Sequence, residues 1–168
     1  FVLCGIAYAI ATGTPGSGAV TITLANGANR KCISVAETTG HNTTTPVPQN
    51  ITGDGVLSTT PSLTLGSAPA SDSMTFGAVG SYEDTVAGIT PGSGLTELVD
   101  AAVGATPNIM TLQTEYDITS PGTTIDWSDL GILGNVAVAI EIAAAVAGGF
   151  FIPGFGRKRN DYDRWKYQ

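Results

Sequence analysis

The chain has 168 residues, including 22 glycines and 9 prolines; 42% of its residues are hydrophobic and only 12% are charged. This excludes a disordered chain, which couples low hydrophobicity to high charge, and the scarcity of Glu, Lys, Arg and Gln disfavours long surface helices. Residues 1–155 hold two basic residues against twelve acidic ones, whereas the last thirteen hold five basic and two acidic residues. Because phosphate binding needs a basic face, the acidic body argues against nucleic acid as a partner.

Clusters of Gly, Pro, Asn and Ser divide the chain into short runs, which predicts a single all-β domain. In the run 19–24, apolar residues alternate with Thr21 and Thr23, the period of two that a half-buried strand requires. The long stretch 39–55 and the segment 90–94 are interpreted as turns. Nine strands are predicted, near 2–10, 19–24, 32–38, 57–65, 72–79, 95–100, 108–116, 123–128 and 134–143.

Alternation is also clear in the predicted strand 108–116. Its two faces are Met110, Leu112, Thr114 and Tyr116 on one side and Thr111, Gln113 and Glu115 on the other. Such a pattern predicts a strand with one apolar and one polar face.

The beginning of the chain has two open questions. The first eleven residues are apolar and start with Phe1, without the basic region that opens a signal peptide. We therefore expect a processed chain or a fragment that begins inside a strand. Cys4 and Cys32 could form one disulfide or remain two thiols, and their number alone does not decide.

The segment 130–155 is apolar and long enough to span a bilayer, with basic residues 157–159 as a cytoplasmic stop. Two features favour a strand instead. Val136, Val138 and Ile140 alternate with small residues, and Glu141 would lie near the middle of the span, where a carboxylate costs about 2.5 to 3.5 kcal/mol. We expect a terminal strand at 134–143, with membrane contact through 130–155 as the alternative.

No pattern predicts a catalytic site or a cofactor. His41, the only histidine, lies in a polar loop, and no nucleophile elbow or phosphate loop is present. The carboxylate pairs Glu83–Asp84 and Asp126 with Asp129 lack the spacing of a calcium loop. We expect them to be solvated charges, with calcium as the alternative.

Aromatic residues in a sandwich can stack on sugar rings. Tyr116 and Trp127 lie in predicted strands, so we expect them in the core, while Tyr82 is a further candidate. Trp165 and Tyr167 lie in the basic tail, where an exposed Trp between two cations is typical of an intermolecular contact or a membrane-interface anchor.

From about residue 40, the order of short motifs suggests a known family. These motifs are Asn42-Thr43-Thr44-Thr45-Pro46, Ser62-Leu63-Thr64-Leu65, Gly92-Ser93-Gly94-Leu95-Thr96-Glu97-Leu98, Leu112-Gln113-Thr114-Glu115-Tyr116, Ile125-Asp126-Trp127 and the run from Asn135 to Ile142. They resemble bacterial and phage β-sandwich modules similar to concanavalin A-like or laminin G-like jelly rolls. The resemblance implies an antiparallel, jelly-roll-like β-sandwich over 1–143, an extension at 144–168, and the absence here of the family's leading strands.

A sandwich that lacks strands exposes an edge, and the extension 144–168 could fill that gap in a neighbouring copy. We therefore predict a non-catalytic structural subunit of a filament, surface layer or virion, outside the cytoplasm, whose partners are copies of itself. The predicted assembly residues are Phe150, Phe151, Ile152, Phe155, Arg157, Lys158, Arg159, Arg164, Trp165 and Tyr167. The alternatives are a lectin-like module that binds glycans and a surface protein anchored in a membrane by its C-terminal part.

Overall fold

The computed structural model describes residues 3–11, 21, 23, 30–53, 58–83, 88–131 and 133–145. In these residues the chain forms eight strands and no helix. The strands are β1 (Gln49–Gly53), β2 (Ser62–Thr64), β3 (Met74–Glu83), β4 (Thr90–Pro91), β5 (Thr96–Ala105), β6 (Asn108–Asp117), β7 (Thr124–Ser128) and β8 (Asn135–Ile142). A five-stranded sheet has the order β1-β8-β3-β6-β5, a three-stranded sheet has the order β2-β7-β4, and every pairing is antiparallel. The prediction of an antiparallel β-sandwich is confirmed.

The main core lies between the two sheets. Trp127 and Ile125 of β7 contribute its largest side chains, and small residues of the five-stranded sheet face them. Gly77 on β3 is required here, because a Cβ atom at this position would lie 2.6 Å from Cγ2 of Ile125 and 2.8 Å from Cζ2 of Trp127. Ala137 and Ala139 of β8 lie in the same core, so the large side chain of Trp127 packs against small residues of the five-stranded sheet.

Polar side chains also lie between the sheets. Thr111, Gln113 and Glu115 of β6 are buried there, and the indole Nε1–H of Trp127 donates to Oε1 of Gln113 over 2.7 Å. The two faces of β6 are therefore divided as its alternation predicts. The polar face is the one that meets the second sheet, because β7 and the segment after β4 supply hydrogen-bond donors to it.

The face of the five-stranded sheet that points away from the three-stranded sheet is called the outer face below. It carries Ala78 on β3, Thr114 on β6 and Val138 on β8, which are paired with one another across the sheet. At one end of it, Met74 and Tyr116 form a second apolar cluster. Partly buried hydrophobic residues pack around this cluster: Phe76, Leu98, Ile118 and Ile142.

The predicted terminal strand 134–143 is confirmed as β8, which pairs with β1 on one side and β3 on the other. Glu141 on this strand accepts hydrogen bonds from buried donors, which explains how a carboxylate is tolerated there. No helix in the described part of the chain is long and apolar enough to cross a membrane.

Five other predicted strands, at 57–65, 72–79, 95–100, 108–116 and 123–128, correspond to β2, β3, β5, β6 and β7 with shifted bounds. The predictions at 2–10 and 32–38 are wrong, because the described residues 3–11 and 32–38 form no β-ladder. The prediction at 19–24 lies largely outside the described residues. Two strands were missed: β1 lies in the stretch interpreted as a turn, and the two-residue β4 is too short for any alternation.

Candidate interaction face

Two extended segments cross the outer face of the five-stranded sheet. The first strap is residues 3–11 and the second strap is residues 30–38. Within the described residues, neither strap makes a backbone hydrogen bond to the sheet. Burial alternates over residues 3–7 of the first strap and 30–35 of the second, so every second side chain there points at the sheet, whereas residues 8–11 and 36–37 are exposed.

The first strap lies over the centre of the sheet. Sγ of Cys4 is 3.7 Å from the carbonyl oxygen of Ala78 on β3, and Ile6 is half-buried beside it. Burial raises the pKa of the Cys4 thiol to about 11. The thiol is therefore protonated at neutral pH, and since the thiolate is the nucleophile, Cys4 is chemically inert there.

The second strap lies over β5 and β6. Sγ of Cys32 is 3.6 Å from the carbonyl oxygen of Met110, and the hydroxyls of Ser34 and Thr114 are 3.3 Å apart. Burial also raises the pKa of the Cys32 thiol. These side-chain contacts are long and weak, so the strap packs on the face of the sheet and does not pair with its strands.

Cys4 and Cys32, which could have formed a disulfide, are free thiols on different straps. Cys4 contacts Ala78, which pairs with Thr114, whereas Cys32 contacts Met110, four residues before Thr114 in β6. Four residues of a strand span roughly 13 Å, and a disulfide needs Cα atoms within about 7 Å. The structure does not bring the two cysteines together.

The outward side of this layer is apolar and open to water. Leu3 is 78% exposed on the first strap, and Ile33 and Val35 are 52% and 62% exposed on the second. Among the described residues, six of the seven exposed large hydrophobic side chains belong to the straps or to the outer face of β5: Leu3, Tyr8, Ile10, Ile33, Val35 and Val103. A concentration of exposed large hydrophobic side chains is typical of interaction sites in soluble proteins.

A half-open cleft of about 350 Å³ separates the first strap from the edge of the sheet. Its floor is formed by Val138 and Ile140 of β8, and Asn50 of β1 lies on one side. Tyr8 lies on the other side and is 61% exposed. The cleft shows that the strap leaves part of the outer face unfilled.

Three carboxylates are buried between the sheets, and two of them, Glu141 and Glu83, each accept at least two hydrogen bonds. Glu141 accepts hydrogen bonds from Ser73 Oγ (2.6 Å), Gln49 Nε2 (2.7 Å) and the N–H of Ala70 (3.1 Å). Burial raises the pKa of Glu141, but these three hydrogen bonds outweigh burial and hold the pKa below its usual value. Glu83 accepts from Thr111 Oγ1 and from the backbone N–H of residue 131.

Glu115 is less well supplied with donors. Its Oε2 accepts the N–H of Gly92 over 3.1 Å, while the buried Oε1 has no hydrogen-bond partner. Burial raises the pKa of this carboxyl group to about 8, and the charges of Asp126 and Glu97 act in the same direction. The Gly92 N–H and the Gln113 side chain favour the charged form but do not outweigh burial. Glu115 is therefore a protonated acid at neutral pH.

The residues weighed for chemistry do not converge on a site. Glu83 is buried, so the expectation of a solvated charge is wrong for it, while the exposed Asp129 accepts from Ser128. His41 lies opposite Ala144 in an isolated bridge, and its two ring nitrogens are buried without a hydrogen-bond partner. In the described ranges, no group of three His, Cys, Asp or Glu side chains is arranged to hold a metal ion.

The aromatic predictions have separate outcomes. Tyr116 and Trp127 lie in the core, as predicted. Tyr82 is half-buried, and its hydroxyl bonds to the side chain of Asn108. The predicted assembly residues lie outside the described residues: Phe150, Phe151, Ile152, Phe155, Arg157, Lys158, Arg159, Arg164, Trp165 and Tyr167. Sequence reasoning missed the straps as an interaction surface, although the apolar alternation in 3–10 and 32–36 was the available signal.

Searches with protein-family models, of curated proteins and of solved structures find no match to this chain.

Proposed function

We propose that this chain is a non-catalytic structural subunit whose copies assemble through the outer side of the five-stranded sheet. The observation that supports this is the concentration of exposed large hydrophobic side chains on the two straps and on β5. The same side of the sheet carries a cleft and an apolar cluster of its own. When a second copy covers a surface with these features, apolar side chains leave water and the free energy falls.

The exposed side chains of the straps can supply much of this favourable free energy of association. Burying a Val, Leu or Ile side chain is favourable by about 1.5 to 3 kcal/mol, and Leu3, Ile33 and Val35 each leave half or more of that surface in water. Because the described residues of the straps make no backbone hydrogen bonds to the described strands, they can adjust to a partner without breaking a ladder. We place such an assembly outside the cytoplasm, in a filament, a surface layer or a virion, and its low charge content suits regular packing.

The test compares two matched substitutions by sedimentation velocity over a range of protein concentration. Ile33→Asp places a charge on the second strap, and Leu133→Asp places the same charge on another exposed hydrophobic residue, between β7 and β8. We expect the wild-type chain to associate, Ile33→Asp to weaken association at least about tenfold, and Leu133→Asp to leave it nearly unchanged.

Both substituted residues are exposed, so the folded monomer tolerates the charge, and circular dichroism checks that it does. A wild-type chain that stays a monodisperse monomer at high concentration would refute the proposal. Equal weakening by the two substitutions would show that the outer side is not the interface.

A further inference from the structure

The free edge of β5 is the longest among the described strands. β5 has ten residues and, among the described strands, pairs only with β6, whereas β1 at the opposite edge of the sheet has five residues. β5 contains neither Pro nor Lys, two residue types with which natural sheets block their edges, and its one register shift lies between Glu97 and Val99. Most of the strand is exposed. Its backbone is open to an added strand from another chain.

The two ends of β5 differ in charge. Glu97 lies next to the beginning of the strand, and Asp117 ends the adjacent β6 at the same end of the sheet. The opposite end is basic, because the side chain of Arg30 packs against Gly104, and Lys31 follows it in the chain. A charged segment added to this edge therefore has a preferred direction.

The C-terminal part of the chain matches this edge. Residues 146–155 are ten in number, contain no charge and include Phe150, Ile152 and Phe155, and one glycine separates them from the basic residues 157–159. If residue 146 lies opposite Ala105, the basic residues lie just beyond Thr96, at the acidic end. The reverse direction would place them beside Arg30, where like charges repel.

Strand direction shows which copy can make this contact. β8 ends where β5 begins, because Ile142 pairs with Met74 at the start of β3, and β6 ends and β5 starts at that same end. Residue 146 follows the described Ala145 closely, whereas a ten-residue strand spans roughly 33 Å. The chain's own segment could therefore run along β5 only in the parallel direction. The antiparallel arrangement, which the charges favour, requires a segment from another copy.

We propose that residues 146–155 of a second copy add to the free edge of β5 as an antiparallel strand. Arg157, Lys158 and Arg159 of that copy then lie beside Glu97 and the acidic end of the sheet. When the two ten-residue segments are aligned end to end, Phe150 lies opposite Ala101 and Ile152 opposite Val99, so both extend the apolar outer face. An edge strand tolerates proline where the proline nitrogen faces away from the paired strand, and the added strand is itself an edge. This inference rests on the proposed function and specifies how the copies are joined.

Hydrogen exchange of the full-length wild-type chain tests whether β5 is the strand to which the added segment pairs. Exchange is measured by mass spectrometry above and below the concentration at which the chain assembles. We expect residues 96–105 and 146–152 to exchange at least about tenfold more slowly in the assembled state, because new backbone hydrogen bonds protect them. The β1 residues 49–53 are the internal control and keep their rates.

A charge exchange tests the direction. We expect Glu97→Lys and Lys158→Glu each to weaken association about threefold, the effect of one exposed ion pair. The chain that carries both substitutions should associate like the wild type, because the pair is restored with reversed charges. Effects of the two substitutions that simply add would overturn the antiparallel arrangement.

The exchange data separate this inference from the proposed function. An assembly that forms without new protection at 96–105 overturns strand addition at β5 and leaves the structural role standing. A chain that never assembles overturns both. Protection of residues 146–152, and of the β5 amides that do not donate to β6, at every concentration overturns the second copy as the donor, since it shows pairing within one chain.

Discussion

Replacing Glu115 by Gln is expected to change how stability depends on pH. The side chain is fully buried, and its pKa in the folded protein is about 8 against an ordinary value of 4.5. Between these two values the folded protein binds a proton that the unfolded chain has released, so the stabilisation is complete below 4.5 and is lost as the pH rises through about 8. The Glu115→Gln variant cannot titrate at this position and lacks this loss.

The size of the effect follows from the two pKa values. From about pH 5 to pH 9, the wild type should lose about 4 kcal/mol of unfolding free energy relative to Glu115→Gln, because ionisation of Glu115 becomes unfavourable in the fold. This is a large part of the roughly 5 to 15 kcal/mol that stabilises an ordinary domain. Gln can still accept the Gly92 N–H through its remaining carbonyl oxygen, so the variant is expected to fold.

Urea denaturation at the two pH values, followed by the fluorescence of the buried Trp127, measures this difference. The comparison between variant and wild type cancels the titration of groups that both chains share. Glu37→Gln is the matched control, because the same substitution is made at a glutamate that is exposed on the second strap. If wild type and Glu115→Gln lose stability in parallel between pH 5 and pH 9, the carboxyl group is charged in the folded protein and our reasoning about the layer between the sheets is wrong.

Two further substitutions test the same layer. Gly77→Ala should destabilise the fold by about 1 to 3 kcal/mol, because the new methyl group collides with Ile125 and Trp127. In the control Gly66→Ala, the nearest atom to the new methyl group would be 3.9 Å away, so the free energy of unfolding should change by less than about 0.5 kcal/mol. Equal effects of the two substitutions in urea denaturation would contradict the close packing at Gly77. Glu141→Gln should destabilise by about 2 to 3 kcal/mol at neutral pH, because it loses charge-assisted hydrogen bonds. Because the pKa of Glu141 is lowered in the folded protein, this stabilisation is present above pH 4.5 and is lost as the pH falls through that lowered pKa. The difference in unfolding free energy between wild type and Glu141→Gln should therefore become smaller in acid, and a larger difference in acid would contradict the direction of the pKa shift.

The jelly-roll resemblance, the binding of glycans and the membrane anchor remain predictions. The resemblance concerns turns and strand patterns, and a pattern of this kind predicts the presence of a sandwich more readily than the order of its strands. The two cysteines show a similar limit, since their number allowed a disulfide and only their positions on separate straps show that it is not formed.

Turn clusters along the chain predict six of the strands, and alternation predicts the two faces of β6 and β8. In β8, the regular exchange of Val or Ile with Ala or Glu identified a strand where apolarity alone suggested a membrane span. The period of side chains in a strand is a local property of the backbone, so it can be predicted before any partner is known. Trp127 and Tyr116 were placed in the core for the same reason.

Only the tertiary structure decided which face of each strand is buried, and which extended segments become strands at all. The polar face of β6 lies inside because Trp127 and Gly92, distant in the chain, bring donors to Gln113 and Glu115. Parts of both straps alternate in burial as strands do, yet among the described residues they make no ladder hydrogen bonds to the sheet. Backbone pairing depends on a neighbouring strand that the local sequence does not specify. Among the described strands, β5 has such a neighbour on one side only.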